Sequence, residues 1–221
     1  MPYIDLSVRV DAETYGPPST NVKVGVTPNF RGPGFWVASS LAMSIHTGSH
    51  IDVPSHVFRD GKTTDDLGVD TLFGQAVRVD LTHVGAEEGV TAEDLERSGV
   101  AVQPGEIVLL NTGWSDRMWG HFPEYFTRSP YLTVEAARWL AARRPRAVGF
   151  DFFEEYAARL PDFGSEDFVV HRELLGYGIF LMEQLTNLGS LPQRVEFFAA
   201  FYKIGGVEGA PARFFARVDV P

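Results

Sequence analysis

Six histidines occur in 221 residues, and three of them fall in one short stretch, His46-Thr-Gly-Ser-His50-Ile-Asp52-Val-Pro-Ser-His56. Imidazole and carboxylate together are ligands for divalent transition metals, and imidazole also carries protons near neutrality. Alternate side chains of an extended segment share a face, so positions 46, 50, 52 and 56 are in phase. A straight strand would still separate His46 from His50 by about 13 Å, at roughly 3.3 Å per residue, too far for both rings to reach one ion. The spacing therefore demands a bend. Gly48 permits one, and Pro54 ends regular pairing so that His56 can approach from another side. A helix carrying His46 and His50 at i and i+4 is disfavoured by Thr47, Gly48 and Pro54.

A second pair, His171 and Glu183, lies far downstream. One straight helix would hold the two about 18 Å apart at 1.5 Å per residue, so they can share a site only across a break. Gly176-Tyr-Gly178 provides it, ending a helix that carries His171 and starting a strand, Ile179 to Leu185. On that strand Glu183 is in phase with Ile179 and Leu181, which turns a carboxylate inward, a costly placement unless it is paired or bound to a cation.

Short β-branched or aromatic runs bounded by Gly or Pro predict strands at Gln75 to Leu81, Glu106 to Asn111, Ala147 to Asp151 and Glu196 to Tyr202. Thr91 to Gly99 and Thr133 to Pro145 carry helix start and stop signals. Strands outnumber helices without regular alternation, which predicts an α/β or α+β domain with a mixed sheet and short helices, organised as a single domain over 1–221. There is no phosphate-binding glycine loop. The 19 basic residues against 29 acidic ones leave a net charge of −10, which argues against nucleic acid and anionic membranes as partners. No cysteine is present, so any metal must be held by His, Asp and Glu. Neither a signal peptide nor an apolar run of membrane-spanning length is visible, and a cytoplasmic protein is expected.

The stretch His46, Gly48, His50, Asp52, Pro54, His56 resembles the H-x-G-T-H-x-D-x-P-x-H motif of the metal-dependent cyclase-type hydrolases, which include bacterial kynurenine formamidase, isatin hydrolase and a manganese-dependent dienelactone hydrolase. Ser49 stands where Thr is usual. The similarity extends to Asp5-Leu-Ser7, Asn111-Thr-Gly-Trp114, Val148-Gly-Phe-Asp151, the His171 and Glu183 pair and Gly206 to Arg213. It implies a swivelling β/β/α fold, a homodimer or homotetramer, and a site with zinc or manganese. His46, His50 and Asp52 would bind a first ion. Asp52 and Glu183 would bridge to a second, completed by His171. His56 would be the proton donor and acceptor rather than a ligand. Two features depart from kynurenine formamidase: Phe152-Phe-Glu-Glu-Tyr156 replaces a Thr-Pro-Ser-x-Asp-like stretch, and no Trp matches near Tyr15 to Pro18.

Paired cations acidify water and polarise a carbonyl, and a His56 titrating near neutrality could move the proton to the leaving group. The expected function is hydrolysis of an amide, arylformamide or lactam, in a small carbonyl substrate. A lactone hydrolase or cyclase using the same metals is the alternative, and a non-enzymatic metal-binding module is a third. Trp114, Trp119, Phe122, Tyr125 and Phe126 are expected in the core or at an oligomer interface. Glu154 and Glu155 are expected as solvated loop charges, with the alternative that one lines the pocket. His83 and His121 are expected on the surface, and Arg213 is expected to fix a turn through a carboxylate or carbonyl.

Overall fold

The structure is a computed structural model that describes residues 2–20 and 22–218; residues 1, 21 and 219–221 of the expected 1–221 domain lie outside it. The strands are β1 (Tyr3–Asp5), β2 (Gly25–Phe30), β3 (Val37–Ala42), β4 (His50–Asp52), β5 (Phe73–Asp80), β6 (Gly89–Val90), β7 (Ile107–Asn111), β8 (Tyr131–Leu132), β9 (Ala147–Phe150), β10 (Phe180–Glu183), β11 (Arg194–Phe201) and β12 (Gly209–Arg217). The helices are α1 (Ala92–Arg97), α2 (Trp114–Met118), α3 (Glu124–Thr127), α4 (Val134–Arg143) and α5 (Val169–Gly176).

The main sheet runs β1-β12-β11-β5-β7-β9-β10-β4, and β4 also pairs with β12, which closes the strands from β12 to β4 into a ring. β5, β7, β9 and β10 are parallel neighbours and the remaining pairs are antiparallel, so the sheet is mixed. The mixed α/β architecture predicted from the sequence is the one observed.

Alternation along these strands divides the apolar residues into two cores. Ala76, Ile107, Leu109, Ala147, Met182, Phe197 and Phe214 belong to one, drawn from strands all round the ring. Val77, Val108, Leu110, Val148, Phe150 and Leu181, one residue out of phase, belong to the other, together with Leu140 of α4 and Leu174 of α5. One set thus fills the ring, and the other is sandwiched between its outer face and the helices. Trp114, Tyr125 and Phe126 lie in the second core, as expected for that aromatic stretch.

Two local expectations differ. The segment Gly209 to Arg213 is no turn but the start of the longest strand, β12, in which Pro211 pairs with His50. Proline reads as a breaker locally, but its missing N–H costs nothing where the strand bond on that side is not called for. Arg213 does meet a carboxylate: its Nε donates to Asp5 Oδ1 at 2.9 Å, tying β12 to β1. The second difference is the β2/β3 hairpin, for which no strand was expected. Every residue of both strands is exposed, and its tip carries Phe35 at 87% and Trp36 at 52% exposure.

Candidate metal centre

β4 contains only three residues of the histidine stretch, so the bend required by the spacing is present before it. Gly48 adopts φ +70°, and a Cβ there would lie 2.3 Å from Val10 Cγ2. That turn carries His46 back towards β4. After it, Pro54–His56 forms one 3-10 turn in which His56 N–H donates to Val53 O at 2.9 Å. The two turns fold the stretch into a cup. The His46 and His56 rings stack at 4.3 Å between centroids, His46 meets His50 edge-on at 5.1 Å, and His56 meets His171 at 5.3 Å.

Strand pairing brings in the downstream carboxylate. In the antiparallel β10/β4 ladder Glu183 lies opposite His50, and Leu181 opposite Asp52. His50 and Asp52 flank Ile51, which points into the ring, so both face the helix side, where Leu181 also points. The phase predicted for Glu183 is therefore observed, and α5 ends at Gly176, before β10, as the glycine break required. Ser49 clamps the arrangement: its hydroxyl donates to Gln184 O at 2.8 Å and accepts from Val8 N–H at 2.9 Å. The hydroxyl, common to Ser and Thr, is what this position uses.

All six residues singled out in the sequence thus come together. His46 Nδ1 is 2.8 Å from Asp52 Oδ1, His50 Nε2 is 3.5 Å from Asp52 Oδ1 and 3.7 Å from Glu183 Oε2, and His171 Nε2 is 3.3 Å from Glu183 Oε1 and 3.7 Å from Asp52 Oδ2. Three groupings each offer ligand atoms within 4.8 Å of one another: His46, Asp52, His56; His50, Asp52, Glu183; and Glu154, His171, Glu183.

The outward ring nitrogens are engaged elsewhere. His50 Nδ1 lies 2.7 Å from Gly48 O, to which it must donate, since a carbonyl only accepts. His46 Nε2 is 3.2 Å from Glu208 Oε1, and His171 Nδ1 is 3.1 Å from Glu155 Oε2. Partners of this kind fix the tautomer that leaves the inner nitrogen's lone pair free, as in metal sites generally. The inner atoms meanwhile lack hydrogen bonds: His50 Nε2, both Asp52 oxygens and both Glu154 oxygens are buried without one. Buried polar atoms are otherwise almost always paired, so a cluster of convergent orphans fits a divalent cation.

The electrostatics follow from burial and proximity. Burial alone would lower the His46 and His171 values, but the carboxylates outweigh it, raising His46 to about 10 and His171 well above the ordinary range. Burial would raise Asp52, yet His50 and His46 hold it well below the usual carboxylate range. His56 is lowered to about 3 by burial and by the His46, His171 and His50 rings, against the opposing pull of Asp52. With no ion in place, these surroundings disfavour the charged form of the His56 ring.

Glu154 and Glu155 require a larger correction, because neither is solvated: they are 0% and 1% exposed. Glu155 Oε2 accepts from the N–H groups of Val170 and His171 at 3.0 and 3.2 Å. Glu208, which the sequence did not flag, reaches His46 from the turn before β12 and is lowered to about 2, chiefly by that hydrogen bond. Local sequence carries no sign of its role, since it arises from the β12/β4 pairing. His121 is exposed, and His83 pairs with Asp94 at 3.0 Å on the surface. Beside the cluster is a cavity of about 180 Å³, with His46, His56, His171 and Glu183 on its polar side. Phe153, Phe163 and Phe168 form the apolar side, and no Lys or Arg lines it among the described residues.

Comparison with known proteins agrees with this geometry. The family model described as Cyclase matches residues 4–154. The chain is similar to a kynurenine formamidase of Salinibacter ruber, 33% identical over 192 residues that cover 82% of this chain and 80% of that protein. Among solved structures it is similar to isatin hydrolase A from Labrenzia aggregata bound to benzyl benzoate, with a TM-score of 0.82, 26% identity and coverage of 97% and 93% of the two chains. It is also similar to a predicted metal-dependent hydrolase from Bacillus stearothermophilus, with a TM-score of 0.73, 27% identity and coverage of 97% of each chain.

Proposed function

Since the chain belongs to the cyclase family, we propose that it is a metal-dependent hydrolase cleaving the carbonyl–nitrogen bond of a small arylformamide or lactam. The observation that carries this reading is the convergence of unpartnered buried ligand atoms beside an aromatic-walled cavity. His46, His50 and Asp52 would hold one ion, Asp52 and Glu183 would be shared with a second, and His171 would complete it; zinc and manganese both suit imidazole and carboxylate. A divalent ion bound there supplies a Lewis acid for the substrate carbonyl and acidifies water.

The protein's own groups do the rest. Phe153, Phe163 and Phe168 exclude water and receive an aryl ring, and the absence of a lining cation favours an uncharged ring system of one or two cycles. His56 lies on the polar side of the cavity, stacked on His46. Its ring, engaged in no hydrogen bond, would take a proton from water and return it to the leaving amine once bound ions have replaced the protons of the neighbouring rings. Chain-wide features belong to the same reading: one swivelling β/β/α domain over 1–221, in the cytoplasm, assembled as a homodimer or homotetramer. The exposed β2/β3 hairpin supports self-association, because segment 22–43 carries Lys23 and Arg31 with no acidic residue, on a chain of net charge −10. A basic segment of this kind would be drawn to the acidic surface of a second copy.

Metal-free protein replenished with zinc or manganese and assayed on a formamide, a lactam and a lactone tests the function. Metal-dependent turnover of the formamide or lactam is expected. Turnover of the lactone alone would replace the amide reading, and no turnover with any ion on any of the three would refute hydrolysis.

A further inference from the structure

The residues so far given to the two ions leave one buried carboxylate without a task. Glu154 is 0% exposed and neither of its oxygens has a hydrogen-bond partner. No Lys or Arg pairs with it among the described residues. Its neighbour Glu155, by contrast, is engaged through Oε2 by two backbone N–H groups and the His171 ring.

The inward placement of Glu154 is built by the fold. Asp151 Oδ1 accepts from Thr112 N–H and Oγ1 at 2.9 and 2.6 Å, and its Oδ2 accepts from Gly113 N–H at 2.6 Å. Phe153 N–H donates to Ser129 Oγ at 2.7 Å, and Glu154 O accepts from Leu132 N–H at 3.0 Å. The backbone is thus pinned on both sides of a side chain that points into the cluster. There Glu154 Oε1 lies 3.6 Å from His171 Nε2, beside Glu183 Oε1 at 3.3 Å and Asp52 Oδ2 at 3.7 Å from the same nitrogen. Three carboxylates crowd one imidazole nitrogen in a buried site, and a bound divalent cation among them would offset their mutual repulsion.

We propose that Glu154 is a further ligand of the second ion, so that the two metal positions differ in chemistry. The inference rests on the metal-dependent reading above. The first position, from His46, His50 and the shared Asp52 and Glu183, has two nitrogen ligands. The second, from His171, Glu154 and the same shared pair, has one nitrogen and one more carboxylate. Oxygen-rich sites suit harder ions such as manganese, whereas imidazole-rich ones suit zinc. The second position therefore selects manganese over zinc relative to the first.

The test compares metal-free wild type with Glu154→Gln and Glu154→Asp, each titrated with manganese alone and with zinc alone. Free manganese is read by electron paramagnetic resonance, and bound metal per chain by elemental analysis after desalting. Wild type should bind two ions. Glu154→Gln should lose one of them and weaken manganese binding about tenfold or more, with its first zinc unaffected and Glu154→Asp intermediate. Equal stoichiometry and equal manganese affinity in wild type and both variants would overturn the role of Glu154 alone. A wild type that holds neither ion would instead remove the metal-dependent reading on which it stands.

Discussion

At the scale of single residues, the site separates rings held by hydrogen bonds from one held by stacking alone. His46 faces Asp52 on one side and Glu208 on the other, an arrangement suited to a ligand. His56 contacts its neighbours through ring stacking, and no hydrogen bond involves its ring among the described residues, which leaves its nitrogens available. His56→Ala should therefore retain nearly all of the metal while kcat falls by about two to four orders of magnitude. His46→Ala should lose metal as well as activity. Elemental analysis beside steady-state kinetics decides the matter, and equal metal loss in both variants would place His56 among the ligands, where its proximity to His46 and Asp52 would also allow it.

At the scale of elements, conformation at a few junctions aims the ligands. Gly48→Ala places a methyl group against Val10 at a left-handed backbone position, so a loss of about 1 kcal/mol or more is expected in urea unfolding, with weaker metal binding. A substitution that left both unchanged would show that the bend does not depend on glycine. Helix α1 offers a test of pH dependence. Burial would raise Asp94, but the Thr91 hydroxyl and N–H and the His83 ring outweigh it and hold the carboxyl at about 2. A folded value below the unfolded value of about 3.9 contributes stability that is complete above about pH 4 and is lost as pH falls through 2. Asp94→Asn should flatten that acid limb in a Tm–pH profile. The sequence signals at this scale were local ones: Thr91 and Thr133 cap their helices, and the predicted strands at Ala147 and Glu106 match β9 and β7 within a residue. The β12 strand was missed because Pro211 gives a breaker signal that long-range pairing overrides.

For the whole molecule, the concentration of buried acids carries a consequence. Asp52, Glu154, Glu155 and Glu183 are all at most 3% exposed within one cluster, and a cation that binds the folded state alone raises its stability by mass action. Chelation should lower Tm, and added manganese or zinc should restore it, read by differential scanning fluorimetry. Outside the ring, a two-stranded hairpin with no buried residue is marginal in water, and exposed apolar groups in such a patch mark an interaction surface. Trp36→Glu should shift the assembly towards a smaller species in light scattering; an unchanged mass would remove the hairpin from the interface.

The clustering of His46, His50, Asp52 and His56, the need for a bend at Gly48 and the inward phase of Glu183 were legible in the sequence itself, because residue spacing and strand periodicity are local properties. The burial of Glu154 and Glu155, the capture of His46 by Glu208 and the packing of His56 against His46 and His171 were decided only by tertiary structure. Each depends on which strand closes the ring and which loop is pinned against it. Two adjacent glutamates look identical along a chain, and only packing tells the one that meets the His171 ring from the one whose oxygens are buried without a hydrogen bond.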